Sequence, residues 1–330
     1  MKPSRLAPAL ALVVSAGAFG PRAWADLRGP YTADANTLHL YHLNDSATPA
    51  ADAGSTNLPL QGLINNATLG SASLSGFGTA LNTSNTGATT DRPILLAASA
   101  LANGTADDVA FSHANATTGA FSMEALVKFS YDPTAAPAGR NNSLQIVSMD
   151  GDGTLDRIFQ LRIDPIGFAS VTSDTTRNRL EFINIRQAAT GQVENLIVNL
   201  PNTGPNTPDA TNWFHVAVTY DGNEASTNNL SFYFTKVDPL ATQANLVGQL
   251  TMARDMTVAS GDFALGNEAR ANASENFVGL IDEVRLSDIA RGADQFLFGP
   301  AVPEPSAVAL LGAVGVFIVR RRPRVVRRLT

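Results

Sequence analysis

Alternation of apolar and polar side chains is the feature that most restricts the fold of this chain. In the segment 121–129 every second residue is apolar, and the positions between are polar apart from Leu126. The segments 158–163, 179–186 and 213–220 alternate in a similar way. Successive side chains of a β-strand point to opposite faces of a sheet, whereas a helix needs apolar residues three or four positions apart. The pattern therefore predicts half-buried strands and an all-β body.

Turn-forming residues separate these predicted strands. Asp, Gly, Asn and Pro cluster at 150–153, 164–165, 201–208 and 221–223. Many short strands at such spacing are typical of two antiparallel sheets packed as a jelly-roll sandwich. The pattern also predicts one short helix near 287–298.

The first 25 residues have the layout of a secretory signal peptide. A positively charged start precedes an apolar run at 6–19, and Ala23 and Ala25 are the small residues that a signal peptidase requires. Cleavage after Ala25 would remove residues 1–25. A buried N-terminal helix is the alternative interpretation.

The C-terminal segment 301–330 carries three features in order. They are Val302-Pro303-Glu304-Pro305, an uncharged run at 307–319, and an arginine cluster that begins with Arg320, Arg321 and Arg322. A helix over that run would be about 20 Å long, short of the roughly 30 Å hydrocarbon core of a bilayer. Arginines favour the cytoplasmic side, so we expect transient membrane insertion with the body on the far side.

This order of features resembles the PEP-CTERM sorting signal of Gram-negative-type bacteria. The resemblance implies recognition by an exosortase, which is a membrane protease, and export to the cell envelope, cell surface or extracellular matrix. Whether the tail is cleaved or kept as an anchor stays open. An ordinary short C-terminal anchor is the alternative.

Composition disfavours several classes of function. The chain has no cysteine, which excludes disulfides, zinc-thiolate sites and cysteine nucleophiles. It has 23 basic and 29 acidic residues, and much of the basic charge lies in the two end segments. The body at 26–300 is therefore strongly acidic, which disfavours binding of nucleic acid or of an anionic membrane.

Three segments of the body, in order, resemble laminin-G-like domains of the concanavalin A-like jelly-roll class. They are the opening at 38–62, Trp-Phe-His-Val-Ala-Val-Thr-Tyr-Asp-Gly at 213–222, and Gly-Leu-Ile-Asp-Glu-Val-Arg at 279–285. The resemblance implies one antiparallel two-sheet sandwich over 26–300. The chain departs from the family at 232–236 and in a long loop between 69 and 120, which weakens the transfer of any ligand site.

Laminin-G-like domains often hold one structural calcium ion, and the resemblance places its ligands at Asp52, Asn57 and Asp282. Calcium takes six to eight oxygen ligands. The alternative is that Asp282 and Glu283 only orient a sheet edge or pair with Arg285. The acidic segment 150–156 lacks the Gly and Glu of an EF-hand, and it predicts a hairpin turn instead.

Catalytic patterns are missing from the sequence. His39 and His42 fall on opposite faces of one predicted strand, and Asp282 and Glu283 are expected to do the same. Jelly-roll glycosidases need carboxyl groups that flank the scissile bond, and no strand reads Glu-x-Asp-x-Glu. We therefore expect a non-catalytic protein, and the resemblance to laminin-G-like domains implies that it binds polysaccharide or glycoprotein. A glycan-active enzyme and a purely structural matrix protein are the alternatives.

Overall fold

The computed structural model describes ten segments of the chain. They are residues 29–84, 94–96, 119–135, 143–150, 157–167, 176–185, 193–238, 241–256, 263–269 and 275–298. All of them belong to one compact unit, Ala25–Pro300. The predicted signal peptide and the predicted sorting tail lie outside the described residues.

The described secondary structure is almost entirely β. The strands are β1 (Thr37–Tyr41), β2 (Gly62–Ile64), β3 (Thr68–Ala72), β4 (Thr79–Asn82), β5 (Ile94–Leu96), β6 (Phe121–Phe129), β7 (Leu144–Asp150), β8 (Arg157–Asp164), β9 (Arg179–Asn184), β10 (Glu194–Asn199), β11 (Phe214–Tyr220), β12 (Leu230–Lys236), β13 (Leu246–Leu250), β14 (Phe263–Leu265) and β15 (Gly279–Ser287). One 3₁₀ turn, Pro133–Ala135, is the single described helical element. No helix in the described residues is long and apolar enough to cross a membrane.

The strands form two antiparallel sheets. The eight-stranded sheet has the order β13-β12-β11-β6-β15-β4-β3, with β1 added beside β15. Strands β4 and β1 pair with successive halves of β15, at Leu280–Ile281 and Val284–Ser287 respectively. The seven-stranded sheet has the order β10-β9-β8-β7-β14-β5-β2. This arrangement confirms the predicted jelly-roll sandwich.

The core between the two sheets follows the alternation in the sequence. On β6 the five odd-numbered residues from Phe121 to Phe129 join the main hydrophobic cluster, as do Phe214, Val216 and Val218 of β11. Leu126, the exception to the pattern, lies on the outer face and joins a separate cluster with Trp213. The outer face of this sheet is therefore itself covered by apolar residues.

The sequence also predicted a turn in the acidic segment and a short helix near 287–298. Strands β7 and β8 pair antiparallel. The turn predicted for the acidic segment 150–156 lies, apart from Asp150, outside the described residues and stays a prediction. The short helix predicted near 287–298 is wrong, because the residues that follow β15 adopt turns and bends. Phe296, Leu297 and Phe298 are instead buried against the outer face of the eight-stranded sheet.

Candidate functional site

Two chain segments cover the outer face of the eight-stranded sheet. One is the N-terminal segment 29–36, which precedes β1, and the other is 288–298, which follows β15. Tyr31 of the first and Leu297 of the second share an apolar cluster with Leu126 and Trp213. Most of the N-terminal segment is exposed, but Tyr31 is buried. Tyr31 therefore anchors this segment to the sheet.

Tyr31 is held by both its backbone and its side chain. Its backbone N–H donates to Glu283 Oε2 at 2.8 Å, and its hydroxyl donates to Glu124 Oε2. The guanidinium carbon of Arg285 lies 3.7 Å from the centre of its ring, which is the geometry of a cation–π contact. Burial, followed by the nearby Glu124 charge, raises the pKa of the Tyr31 hydroxyl well above its usual value.

Glu124 is the centre of a fully buried polar network beneath Tyr31. Its carboxylate lies 3.0 Å from His215 Nε2, and Arg285 Nε donates to it at 2.7 Å. Burial alone would raise the pKa of Glu124, but the hydrogen bond from His215 and the charge of Arg285 lower it. Glu124 is therefore the anion that holds the other three residues in place.

A second ion pair ties the two covering segments to each other. Arg291 Nη1 and Nη2 donate to the two oxygens of Asp34 at 2.9 and 2.7 Å. Arg291 Nε also donates to Ser287 Oγ at 2.8 Å. The hydrogen bond from Arg291 lowers the pKa of Asp34. Arg291 is buried, whereas about half of the Asp34 side chain, 47%, is exposed.

A pocket of about 460 Å³ lies between these two segments. Its walls are Gly29, Pro30, Tyr31, Thr32, Asp34, Arg285, Arg291, Gln295 and Phe296. Arg285 Nη2 donates to the carbonyl of Gln295, and Gln295 Oε1 accepts from the N–H of Gly292. Among the described residues, Arg285 Nη1 and Gln295 Nε2 have no hydrogen-bond partner. The pocket therefore combines unused donors with the partly exposed carboxylate of Asp34.

The residues that the resemblance assigned to calcium have protein partners. Asp52 Oδ1 accepts from the N–H groups of Leu40 and Gly54 at 2.9 and 2.8 Å. Its Oδ2 accepts from the N–H of Leu58 at 2.9 Å and lies 2.8 Å from His39 Nδ1. Burial opposes ionisation of Asp52, but these hydrogen bonds lower its pKa. Asp52 thus fastens the loop 50–58 along β1.

Asp282 and Asn57 lie in different surroundings. Asp282 is buried on β15, where it accepts from the hydroxyl of Ser73 and from the N–H of Glu283. Burial raises the pKa of Asp282 to about 8, and the Glu283 charge adds to this effect. Asn57 adopts a positive φ of 50° in the exposed loop.

These contacts do not form a preformed calcium cage. A calcium ion would have to displace the donors on Asp52, and it would also need Asp282 to be ionised. No group of three or more acidic or histidine side chains in the described segments is placed to share a metal ion. Calcium binding by Asp52, Asn57 and Asp282 stays a prediction.

A β-bulge changes the orientation expected for Asp282 and Glu283. The register of β15 against β6 shifts between Asp282 and Arg285, and Glu283 has a φ of 47°. Two residues instead of one separate the core residues Ile281 and Val284. The prediction that Asp282 and Glu283 point to opposite faces is therefore wrong.

The bulge gives Glu283 a partner outside its own strand. Glu283 Oε1 lies 2.7 Å from His42 Nδ1, and this hydrogen bond raises the pKa of His42. Arg285 pairs with Glu124 rather than with Asp282 or Glu283. His39 and His42 have separate partners, Asp52 and Glu283, and His42 lies beyond the end of β1.

The outer face of the seven-stranded sheet carries a buried layer of charged side chains that the sequence did not indicate. Arg162 Nε donates to Glu181 Oε2 at 2.6 Å, and Arg162 Nη1 donates to Glu275 Oε2 at 2.7 Å. Arg179 Nη2 lies 3.4 Å from Asp164 Oδ2. Burial, together with the Asp164 charge, raises the pKa of Glu181 to about 7 despite the contact with Arg162. Alternation alone marked these residues only as facing away from the core.

Comparison with known proteins places this sandwich in a family. Residues 103–295, more than half of the chain, match the family model described as the concanavalin A-like lectin/glucanases superfamily. The chain belongs to this superfamily. The match takes in the segments 213–222 and 279–285 of this superfamily member and leaves out the opening at 38–62. No curated protein sequence matches it.

Solved structures also resemble this superfamily member. The binding domain of botulinum neurotoxin serotype D is 14% identical, with a TM-score of 0.43, over 79% of this chain and 49% of the other. The receptor-binding domain of botulinum neurotoxin type G is 9% identical, with a TM-score of 0.42, over 79% and 50%. A putative carbohydrate binding protein from Bacteroides ovatus is 20% identical, with a TM-score of 0.35, over 57% and 46%. The chain spans about half the length of these structures.

Proposed function

We propose that this chain is a non-catalytic carbohydrate-binding protein and that the pocket between segments 29–36 and 288–298 holds the sugar. The observation that carries the proposal is the combination of donors and an acceptor in one accessible cavity. Arg285 Nη1 and Gln295 Nε2 are unused donors among the described residues, and Asp34 is an acceptor. A sugar hydroxyl both donates and accepts hydrogen bonds, so adjacent hydroxyls of one sugar would match this pattern.

The size and the walls of the pocket support the same ligand. A volume of about 460 Å³ falls within the range of small-molecule sites. Pro30, Tyr31 and Phe296 are the large apolar residues of the wall. Family membership adds a general expectation of carbohydrate recognition, since the superfamily is described as lectins and glucanases. Glycoprotein glycans present the same chemistry as free polysaccharides, so both are candidate partners.

The burial and the arginine contacts of the carboxyl groups support binding rather than catalysis. Asp164 and Glu181 are fully buried, and both contact arginines. A glycosidase needs two carboxyl groups that reach the scissile bond. Asp34 is the one carboxylate among the described residues of the pocket wall. One carboxylate is insufficient for the two-carboxyl mechanism.

A glycan array with the full-length protein tests this proposal. We expect binding to a subset of glycans and no cleavage of them, with the affinity reduced about tenfold by Gln295→Ala, because losing one hydrogen bond to a sugar costs a factor of this order. Gln249→Ala is the matched control, because Gln249 is an equally exposed glutamine on β13. No glycan binding would favour a purely structural matrix protein, and cleavage would favour a glycan-active enzyme. Equal loss in both variants would remove the pocket as the site.

We also propose that the protein is exported and sorted through its C-terminal segment. The support is the order of Val302-Pro303-Glu304-Pro305, the apolar run and the arginine cluster, together with the signal-peptide layout at 1–25. In cells with an exosortase, fractionation should find the protein in the envelope or the medium. The triple change Pro303→Ala, Glu304→Ala and Pro305→Ala should retain it in the membrane fraction. Unchanged sorting of this variant would contradict exosortase recognition.

A further inference from the structure

The pocket has more free donors than free acceptors, and this imbalance restricts the class of sugar. Arg285 Nη1 and Gln295 Nε2 each carry two N–H bonds, and neither nitrogen has a partner within the described residues. The acceptors beside them are already engaged. Gln295 Oε1 accepts from Gly292, and the carbonyl of Gln295 accepts from Arg285.

Asp34 does not cancel this excess of donors. Both of its oxygens accept from Arg291, and Oδ1 also accepts from the N–H of Asn36 at 3.0 Å and from the hydroxyl of Thr37 at 2.9 Å. The Asp34–Arg291 pair is therefore neutral as a unit. Arg285 is likewise paired with the buried Glu124, so it contributes a free N–H donor group to the pocket wall rather than net charge.

The two buried carboxylates near Arg285, Glu124 and Glu283, are not part of the pocket wall. Glu124 lies beneath it, fully buried, and uses its oxygens on Arg285, Tyr31 and His215. Glu283 is also buried and accepts from Tyr31 and His42. A ligand in the pocket thus meets Arg285 and the paired Asp34, but not Glu124 or Glu283.

A group that accepts hydrogen bonds without donating any is the best match for the Arg285 and Gln295 side of the pocket, whereas hydroxyls match the Asp34 side. A carboxylate has about four acceptor positions and no donor, and guanidinium edges bind carboxylates with charge-assisted hydrogen bonds. We propose that the pocket selects acidic saccharides, with the carboxylate of a uronic-acid sugar on Arg285 Nη1 and Gln295 Nε2. This inference rests on the carbohydrate-binding function proposed above.

Two polymers with the same sugar backbone test the inference. Polygalacturonate carries free carboxylates, whereas its methyl ester carries none. The full-length protein should bind polygalacturonate about tenfold more tightly than the ester, because one charge-assisted hydrogen bond contributes a factor of this order. Equal binding of the two polymers would overturn the acid preference while leaving carbohydrate binding in place. Binding of neither polymer, nor of any glycan on the array, would contradict the carbohydrate-binding function itself.

Two charge variants and a non-saccharide polymer test whether this pocket causes the preference for the free acid. Gln295→Glu places a negative charge beside Arg285 and should abolish the preference for the free acid. Gln249→Glu adds the same charge on β13 and should leave the preference intact. Thermal midpoints within a degree or two of the parent protein would show that both variants are folded. A preference that survives Gln295→Glu would exclude this pocket, and equal binding of polyglutamate would exclude a saccharide requirement.

Discussion

Asp34 and Arg291 are 257 positions apart in the sequence and form a two-point ion pair with N–O distances of 2.9 and 2.7 Å. The pair joins the segment that precedes the first strand to the segment that follows the last one. Ser122 Oγ reinforces this junction by accepting from the N–H of Arg291 at 2.7 Å. The pocket exists because these two segments are fastened over the same sheet.

Asp34→Asn should weaken this junction in a pH-dependent way. The lowered pKa of Asp34 means that its contribution to stability is present above the pKa of an unfolded aspartate, near 4, and is lost as the pH falls through the folded-state value. Because the side chain is half exposed, we expect a loss of about 1 kcal/mol at pH 7. Urea denaturation at pH 7 and pH 3 measures the difference, which should shrink at pH 3. Asp294→Asn, at an exposed position nearby, is the control. An equal loss of stability in Asp34→Asn at both pH values would contradict the pH-dependent contribution of Asp34.

The sequence was sufficient for the sheets because their signal is local. Alternation on β6 and β11 identifies core residues such as Met123 and Val216 within a few positions of one another. The glycine that opens the segment 279–285 is required by the packing of β15 against β6. Gly279 faces Lys128 so closely that an added Cβ would lie 2.0 Å from the Lys128 carbonyl oxygen. The match of segment 279–285 to laminin-G-like domains therefore reflects a glycine that close pairing of β15 with β6 requires.

The pocket and the buried charge layer could not be predicted because their contacts join distant segments. Arg162 meets Glu181 only because β8 and β9 pair in the register that sets these residues opposite each other. The bulge at Glu283 depends on partners at Tyr31 and His42, more than 200 positions away. The predicted helix near 287–298 failed for the same reason, since packing of Phe296 against His215 outweighs local helical preference.

Gly279→Ala should destabilise the sandwich. Its Cβ would collide with backbone atoms of β6, which cannot move without loss of strand pairing. We expect a loss of about 1–3 kcal/mol in the free energy of unfolding, typical of an overpacked core. Gly29→Ala is the matched control, because no heavy atom lies within 4 Å of a Cβ at Gly29. Equal midpoints for the two variants in urea denaturation would contradict the proposed clash.

Asp52→Ala should release the loop 50–58 from β1. Three backbone N–H groups, those of Leu40, Gly54 and Leu58, would lose their acceptor. Unsatisfied buried donors cost about 1–3 kcal/mol each, and since such losses are not additive we expect a total near 3 kcal/mol. Asp52→Asn keeps one acceptor oxygen and should lose less than half of that. Hydrogen exchange should locate the faster amides in 50–58, and unchanged exchange would contradict the role of Asp52.

The predicted calcium site can be tested directly by the thermal stability of the protein with and without calcium. If Asp52, Asn57 and Asp282 bind calcium, millimolar calcium raises the thermal midpoint of the full-length protein over that in EDTA, since an ion that binds only the folded state stabilises it. Asp282→Asn should then abolish the rise. The contacts of Asp52 predict a small response, because its oxygens already accept hydrogen bonds from backbone donors. An absence of any calcium-dependent shift would remove the predicted site.

Glu181→Gln should change the pH dependence of stability in the direction opposite to Asp34→Asn. The folded-state pKa of Glu181 is raised to about 7, so the folded protein binds more protons than the unfolded chain between about pH 4 and pH 7. Stability therefore falls as the pH rises through that window. A neutral amide avoids this cost, because it has no proton to lose and can still accept from Arg162 Nε at the position where Glu181 does so at 2.6 Å.

The measurement is the free energy of unfolding at pH 5 and pH 8 for the parent protein and Glu181→Gln. The parent should lose roughly 2–3 kcal/mol more than the variant over this interval, because the folded protein holds the extra proton over about two pH units and each unit contributes about 1.4 kcal/mol. Asp294→Asn should follow the parent, because Asp294 is exposed. Parallel profiles for the parent and Glu181→Gln would mean that Glu181 is ionised throughout. Its ion pair with Arg162 would then outweigh the burial of its charge.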